Sequence, residues 1–155
     1  TTDNFHQIAE HLGQWFGCVA NKAPNVSCEG NWANYMDQYE TGFETHILDH
    51  QRPILEQTRI NKSVLSHNDN ALGNFLIGED KRLYGVDFAE SRMKPEGWDL
   101  VTAARALIGR MPGALPIISG SLLRGYQLTA KECGLPDNFD QVISTVAFAN
   151  AVKAA

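Results

Sequence analysis

Long apolar runs are absent from this chain: no stretch approaches the ~20 consecutive apolar residues that span a bilayer, so no membrane span is expected. The amino terminus has no charged segment followed by an apolar one, and signal-peptidase cleavage is not expected. Cysteine is scarce. The three present, Cys18, Cys28 and Cys133, are odd in number and lack Cys-x-x-Cys spacing, which speaks against a disulfide framework or a zinc knuckle and for a reducing, cytoplasmic location. Basic clusters are missing as well. Lys and Arg total 13 against 18 Asp and Glu, a net charge of −5, and stand singly or in pairs, so no nucleic-acid partner is expected. What remains is 155 residues, 43% of them hydrophobic, without repeats or low-complexity tracts: enough for one domain with its own core.

Apolar spacings of three and four mark the helices. Phe5, Ile8, Leu12, Trp15, Phe16 and Val19 share the face of a helix capped by Thr2 or Asp3, and that face is expected to be buried. His6 and His11 read as exposed helix histidines. Residues 21–31, rich in Asn, Pro, Gly and Ser, read as a loop. Trp32, Tyr35, Met36, Tyr39, Phe43 and Ile47 continue a helical stripe, core in character, which Pro53 ends or restarts. His46 and His50 stand four apart, as helical zinc ligands do, but no third ligand can be named. A later helix opening at Asp99 turns Val101, Ala104, Leu107 and Ile108 inward until Met111-Pro112-Gly113 breaks it. Pro116 suits the first turn of the next, with Ile117, Leu122, Leu123 and Tyr126 inward, ending at Cys133-Gly134-Leu135-Pro136. Asp137 or Asn138 starts the last, with Val142, Val146 and Ala149 inward. The fold class is mainly α, of the α+β kind: a helical lobe with one small hairpin.

That hairpin organises the chemistry. Val64-Leu65 leads into a loop carrying His67, Asp69 and Asn74. Strand-like Phe75-Leu76-Ile77 and Leu83, Tyr84, Val86 then flank Gly78-Glu79-Asp80-Lys81, residue types that favour a tight turn. A hairpin returns its ends to neighbouring positions, so Asn74 and Asp87 are expected side by side, with Asp69 in reach. A carboxylate and an amide oxygen suit Mg²⁺, whose octahedron phosphates and water complete. Asp69 is left to face the other reactant, as in phosphoryl transfer, where a loop Asp accepts a hydroxyl proton, an Asn takes one metal ion and a later Asp takes both.

His67-x-Asp69-x-x-x-x-Asn74, followed by Val86-Asp87-Phe88-Ala89 and Gly97-Trp98-Asp99-Leu100, resembles the carboxy-terminal lobe of the aminoglycoside phosphotransferase and choline kinase group within the protein-kinase-like fold. The likeness, which includes the later Leu123-Arg124-Gly125-Tyr126 helix, covers most of the chain. Two positions depart from the group. Asn68 stands where Gly is usual, and Asn tolerates the left-handed conformation better than most residues; Ala89 stands where Gly is frequent after the Asp-Phe pair. The resemblance implies an ATP-dependent kinase acting on an alcohol group of a small molecule. Asp69 would be the catalytic base and His67 its neighbour in the catalytic loop, a brace more than a base. Asn74 and Asp87 would hold Mg²⁺ across the ATP phosphates, and Asp99 would be a structural brace. The polar segment 90–96 would be a short activation-segment equivalent. Glu90, Glu96, Asp137 and Asp140, near the expected cleft, favour a cationic acceptor; a sugar-like one stays open.

A kinase also needs a Gly-rich strand-turn-strand over the phosphates and a strand Lys paired with them. Neither is found: nothing upstream of residue 60 resembles such a sheet, and Lys22 and Lys62 read as loop residues. Residues 1–155 are therefore expected to be a single domain, the carboxy-terminal lobe of a longer protein, lacking the ATP-binding lobe and having little or no activity alone. Two other readings stay open: a non-catalytic, pseudokinase-like interaction module, and a metal-dependent hydrolase built on His67, Asp69 and Asp87.

Overall fold

The computed structural model describes residues 2–39 and 45–154, with side chains over 4–38 and 49–149. The chain runs α1 (Thr2–Ala20), β1 (Val26–Asn31), α2 (Trp32–Tyr39), α3 (Thr45–Gln57), β2 (Arg59–Ser66), β3 (Phe75–Ile77), β4 (Leu83–Gly85), β5 (Arg92–Pro95), α4 (Trp98–Ile108), α5 (Leu115–Thr129) and α6 (Phe139–Ala154). The class is α+β, with six helices and two small antiparallel sheets among the described residues.

The helical core follows from the apolar spacings. Leu12, Phe16 and Val19 of α1, Val101, Ala104, Leu107 and Ile108 of α4, and Val142, Val146 and Ala149 of α6 are all buried. Two expected inward residues are not: Ile8 and Ile117 are 36% and 46% exposed. α1 lies directly on α5 because neither presents side chains at the crossing. A Cβ on Gly13 would overlap the Leu122 carbonyl, and one on Gly125 the Glu10 carbonyl. The backbones therefore touch, and any larger residue would push the helices apart.

The sheets correct the expectation of one hairpin. β2 is the centre of a three-stranded sheet, with β1 and β5 antiparallel on either side. Val26 pairs with Ser63 and Asn31 with Arg59, while Ser63 pairs with Pro95 and Ser66 with Arg92. Residues 26–31, expected in a loop, are an edge strand whose mostly exposed side chains hide any alternation. Arg92–Pro95, expected in a polar activation-like segment, is a strand because its partner lies some thirty residues back, and Lys94, Pro95 and Glu96 are buried beneath it. Lys62 is likewise a β2 residue, not a loop residue; its ammonium reaches the Glu132 carbonyl and lies 3.7 Å from Glu96.

Two helix ends also differ. α3 continues through Pro53, whose ring is on the exposed face, so the carbonyl it leaves unpaired one turn earlier faces solvent. α5 stops at Thr129, where Ala130 turns extended, four residues before Cys133. The side chains of Tyr39, Phe43, His46 and Ile47 lie outside the described residues, and with them the His46–His50 zinc pair. The hairpin of β3 and β4 is as expected: the Lys81 N–H donates to the Gly78 carbonyl at 3.0 Å, and Gly78 donates to the Arg82 carbonyl at 2.9 Å. No helix among the described residues is long and apolar enough to cross a membrane.

Candidate active site

β2 delivers the loop 67–74 at its carboxyl end, and α4 holds it from below. The buried Asp99 carboxylate accepts hydrogen bonds from Ser66 Oγ (2.5 Å), the His67 N–H (2.9 Å), the Asn68 N–H (3.1 Å) and Asn70 Nδ2 (2.8 Å). Asp99 sits in the first turn of α4, where the helix dipole also favours a negative charge. One residue thus satisfies two loop backbone donors and two loop side chains. Asn68 is left-handed at φ 65°, the conformation its residue type tolerates where Gly is the usual alternative. Its side chain adds two clamps: Nδ2 donates to the Glu90 carbonyl (3.1 Å), and Oδ1 accepts from Trp98 Nε1 (2.9 Å).

His67 is fully buried. Its Nε2 meets the Val86 carbonyl at 2.8 Å and can only donate there, so Nδ1 is the acceptor for the Asp69 N–H at 3.4 Å. Its ring contacts Trp15 of α1 and Phe75 and Phe88, with centroids 4.9–5.6 Å away. With both nitrogens engaged inside this aromatic wall, His67 joins the loop to the strand beyond it and is not presented to a metal. That arrangement removes the main ligand of the hydrolase reading.

The loop closes on itself at the hairpin. Asn74 ends a short 3₁₀ turn, and its Nδ2 donates to the Asp69 carbonyl at 2.9 Å, directing its Oδ1 away from that carbonyl. The Asn74 carbonyl accepts the Val86 N–H at 2.8 Å, which sets Asp87 one residue from the rung shared with Asn74. Asp87 is exposed and left-handed at φ 61°, an uncommon state for a non-glycine residue. The hairpin therefore brings Asp69, Asn74 and residue 86 together through hydrogen bonds, and Asp87 follows immediately. Among the described residues no three His, Cys, Asp or Glu side chains gather into a metal-holding group. One amide and one carboxylate are instead the sparse donor set that Mg²⁺ accepts when phosphates and water supply the rest.

The acids expected around an acceptor do not gather there. Glu96 is buried, and accepts from Tyr126 Oη (2.8 Å) and the Gly134 N–H (2.8 Å). Burial, and then the Glu96 charge, push the Tyr126 phenol well above its ordinary pKa. Glu90 pairs with Arg92 on the surface, and Asp137 and Asp140 stand at the start of α6. Sequence reasoning did not anticipate Ser66, Trp98 or Trp15 as supports of the loop. Ser66 carried no signal, and Trp98 and Trp15 read only as motif and core residues.

No protein-family model, curated protein or solved structure matches the chain.

Proposed function

We propose that this chain carries the catalytic loop of an ATP-dependent phosphotransferase that phosphorylates a hydroxyl group of a small molecule. The reading is supported by one observation: the Asn74 side-chain amide donates to the Asp69 carbonyl and the Val86 N–H to the Asn74 carbonyl, so the backbone at positions 69, 74 and 86 meets at the mouth of one hairpin, with Asp87 next in sequence. In this reading Asp69 orients the acceptor hydroxyl and takes its proton as the oxygen attacks. Asn74 and Asp87 would hold Mg²⁺, which would neutralise the phosphates of the co-substrate ATP while the hydroxyl oxygen bonds to the γ-phosphorus and the bond to ADP, the leaving group, breaks. His67 and Asp99 are positioning residues that fix the loop. The exposed apolar side chains of Leu76, Ile77, Val86 and Phe88 offer a surface for the flat base of a nucleotide beside that pair. They equally favour the rival reading, a non-catalytic interaction module, since one small hairpin seldom exposes so much apolar surface without a partner.

Two measurements test this. In the longer protein we take this chain to belong to, Asp69→Asn lowers kcat for ATP-dependent phosphorylation about 10²–10⁴-fold, the usual contribution of a positioned base. In the chain itself, Mn²⁺ with ADP broadens the amide resonances of Asn74 and Asp87 first, and Asp87→Asn abolishes the effect. Broadening centred on other acids, or full activity in Asp69→Asn, defeats the proposal.

A further inference from the structure

A cleft of about 550 Å³ lies between β1, α2 and β5, within the size range of small-molecule sites. Its polar lining is mostly uncharged: the amides of Asn31, Asn34 and Gln38 and the hydroxyl of Ser63. Amides and hydroxyls both donate and accept, as the hydroxyls of a polyol require. The half-buried Tyr35 ring supplies an apolar flank for C–H groups. On the β5 wall stand Arg92 and Lys94, the latter buried with its ammonium 4.9 Å from the Trp98 ring centroid and 5.6 Å from that of Tyr35. Glu29 is the one acid among the described lining residues, and Arg92 is paired with Glu90 at 3.2 Å.

The cleft is joined to the catalytic loop by short links. Arg92 pairs with Ser66, and the three residues from Ser66 to Asp69 span at most about 10 Å. Ser91 Oγ donates to the His67 carbonyl, Asn68 grips the Glu90 carbonyl, and Trp98, which touches both Lys94 and Tyr35, donates to Asn68. We infer that this cleft is the acceptor site and that it takes a polyhydroxylated, sugar-like molecule. The inference rests on the phosphotransferase reading for the word acceptor; the binding site itself stands on the cleft alone.

The test is a titration of the ¹⁵N-labelled chain with glucose, ribose, myo-inositol, gluconate and glucosamine at equal concentrations, followed by amide chemical shifts. At least one of these polyols is expected to shift residues 31–38 and 92–95 together, saturably. The double substitution Asn34→Ala with Gln38→Ala, at two exposed positions, is expected to weaken that binding about tenfold. Shifts confined to residues outside 31–38 and 92–95, or no shift with any of the five, overturn the inference. Cleft binding without ATP-dependent phosphorylation in the longer protein would remove the phosphotransferase reading and leave the binding site. Phosphorylation of a polyol with the cleft unperturbed would do the reverse.

Discussion

Asp99 is the residue whose loss should be felt most, because its carboxylate collects four donors, of which only Asn70 Nδ2 has another acceptor among the described residues. Asp99→Ala strands the buried His67 N–H, the part-buried Asn68 N–H and Ser66 Oγ, while Asn70 Nδ2 keeps Thr102 Oγ1 at 2.6 Å as an acceptor. Each orphaned buried donor costs about 1–3 kcal/mol. Relaxation will recover part of this, so the expected destabilisation is about 3–5 kcal/mol, a large share of the ~5–15 kcal/mol that holds a domain together. Asp99→Asn keeps one acceptor oxygen but turns an NH₂ group towards donors, and should cost about 2 kcal/mol. Urea denaturation followed by tryptophan fluorescence gives both numbers. Amide exchange should locate the damage, with protection lost first at His67 and Asn68. If Asp99→Ala costs less than about 1 kcal/mol, or exchange quickens elsewhere while those two amides stay protected, the loop is not held in the way described.

Asn68 can be tested by a ranked series. Asn68→Gly loses two side-chain hydrogen bonds but relieves the left-handed backbone, a net cost of about 1 kcal/mol, whereas Asn68→Ala loses the bonds and adds about 1–2 kcal/mol of strain. An alanine variant as stable as the glycine one would contradict this. The α1–α5 crossing predicts opposite signs for two glycines of one helix: Gly125→Ala should destabilise by about 1–3 kcal/mol, while Gly120→Ala, whose new Cβ meets nothing, should stabilise by about 0.5–1 kcal/mol, both readable by thermal melts. Tyr126 should make the protein alkali-sensitive. Its folded-state pKa lies above the ordinary value of about 10, so the unfolded chain loses this proton first, and stability present below pH ~10 falls by about 1.4 kcal/mol per unit above it. Tyr126→Phe should show a shallower decline over that range, and an unchanged slope would assign the sensitivity elsewhere.

Helices α1, α4 and α6 and the β3–β4 hairpin were legible because the information for each is local. Phe16, Leu107 and Val146 declare a helix face through neighbours three and four residues away, and Gly78 to Lys81 declare a turn through their own backbone preferences. The return of the chain from Asn74 to the residue before Asp87 was legible for the same reason, since a short hairpin converts sequence distance into proximity. The conformation of Asn68 also followed from residue type. β1 and β5 were not legible. Val26 to Asn31 is an exposed edge with no alternation, and Arg92 to Pro95 contains two cations and a proline; each becomes a strand only because β2 lies beside it. With those strands formed, Lys94 and Glu96 are buried, as their residue types alone would not suggest.

The sequence by itself thus determined where most of the helices and the hairpin lie and that the turn returns the chain at Asn74 to the residue before Asp87, because these depend on interactions a few residues apart. Only the tertiary structure decided that Asp99 anchors the loop, that glycines let α1 touch α5, and that a cleft of amides opens beside β5. Each of those depends on groups tens of residues apart, whose meeting is set by how the whole chain packs and not by any local preference.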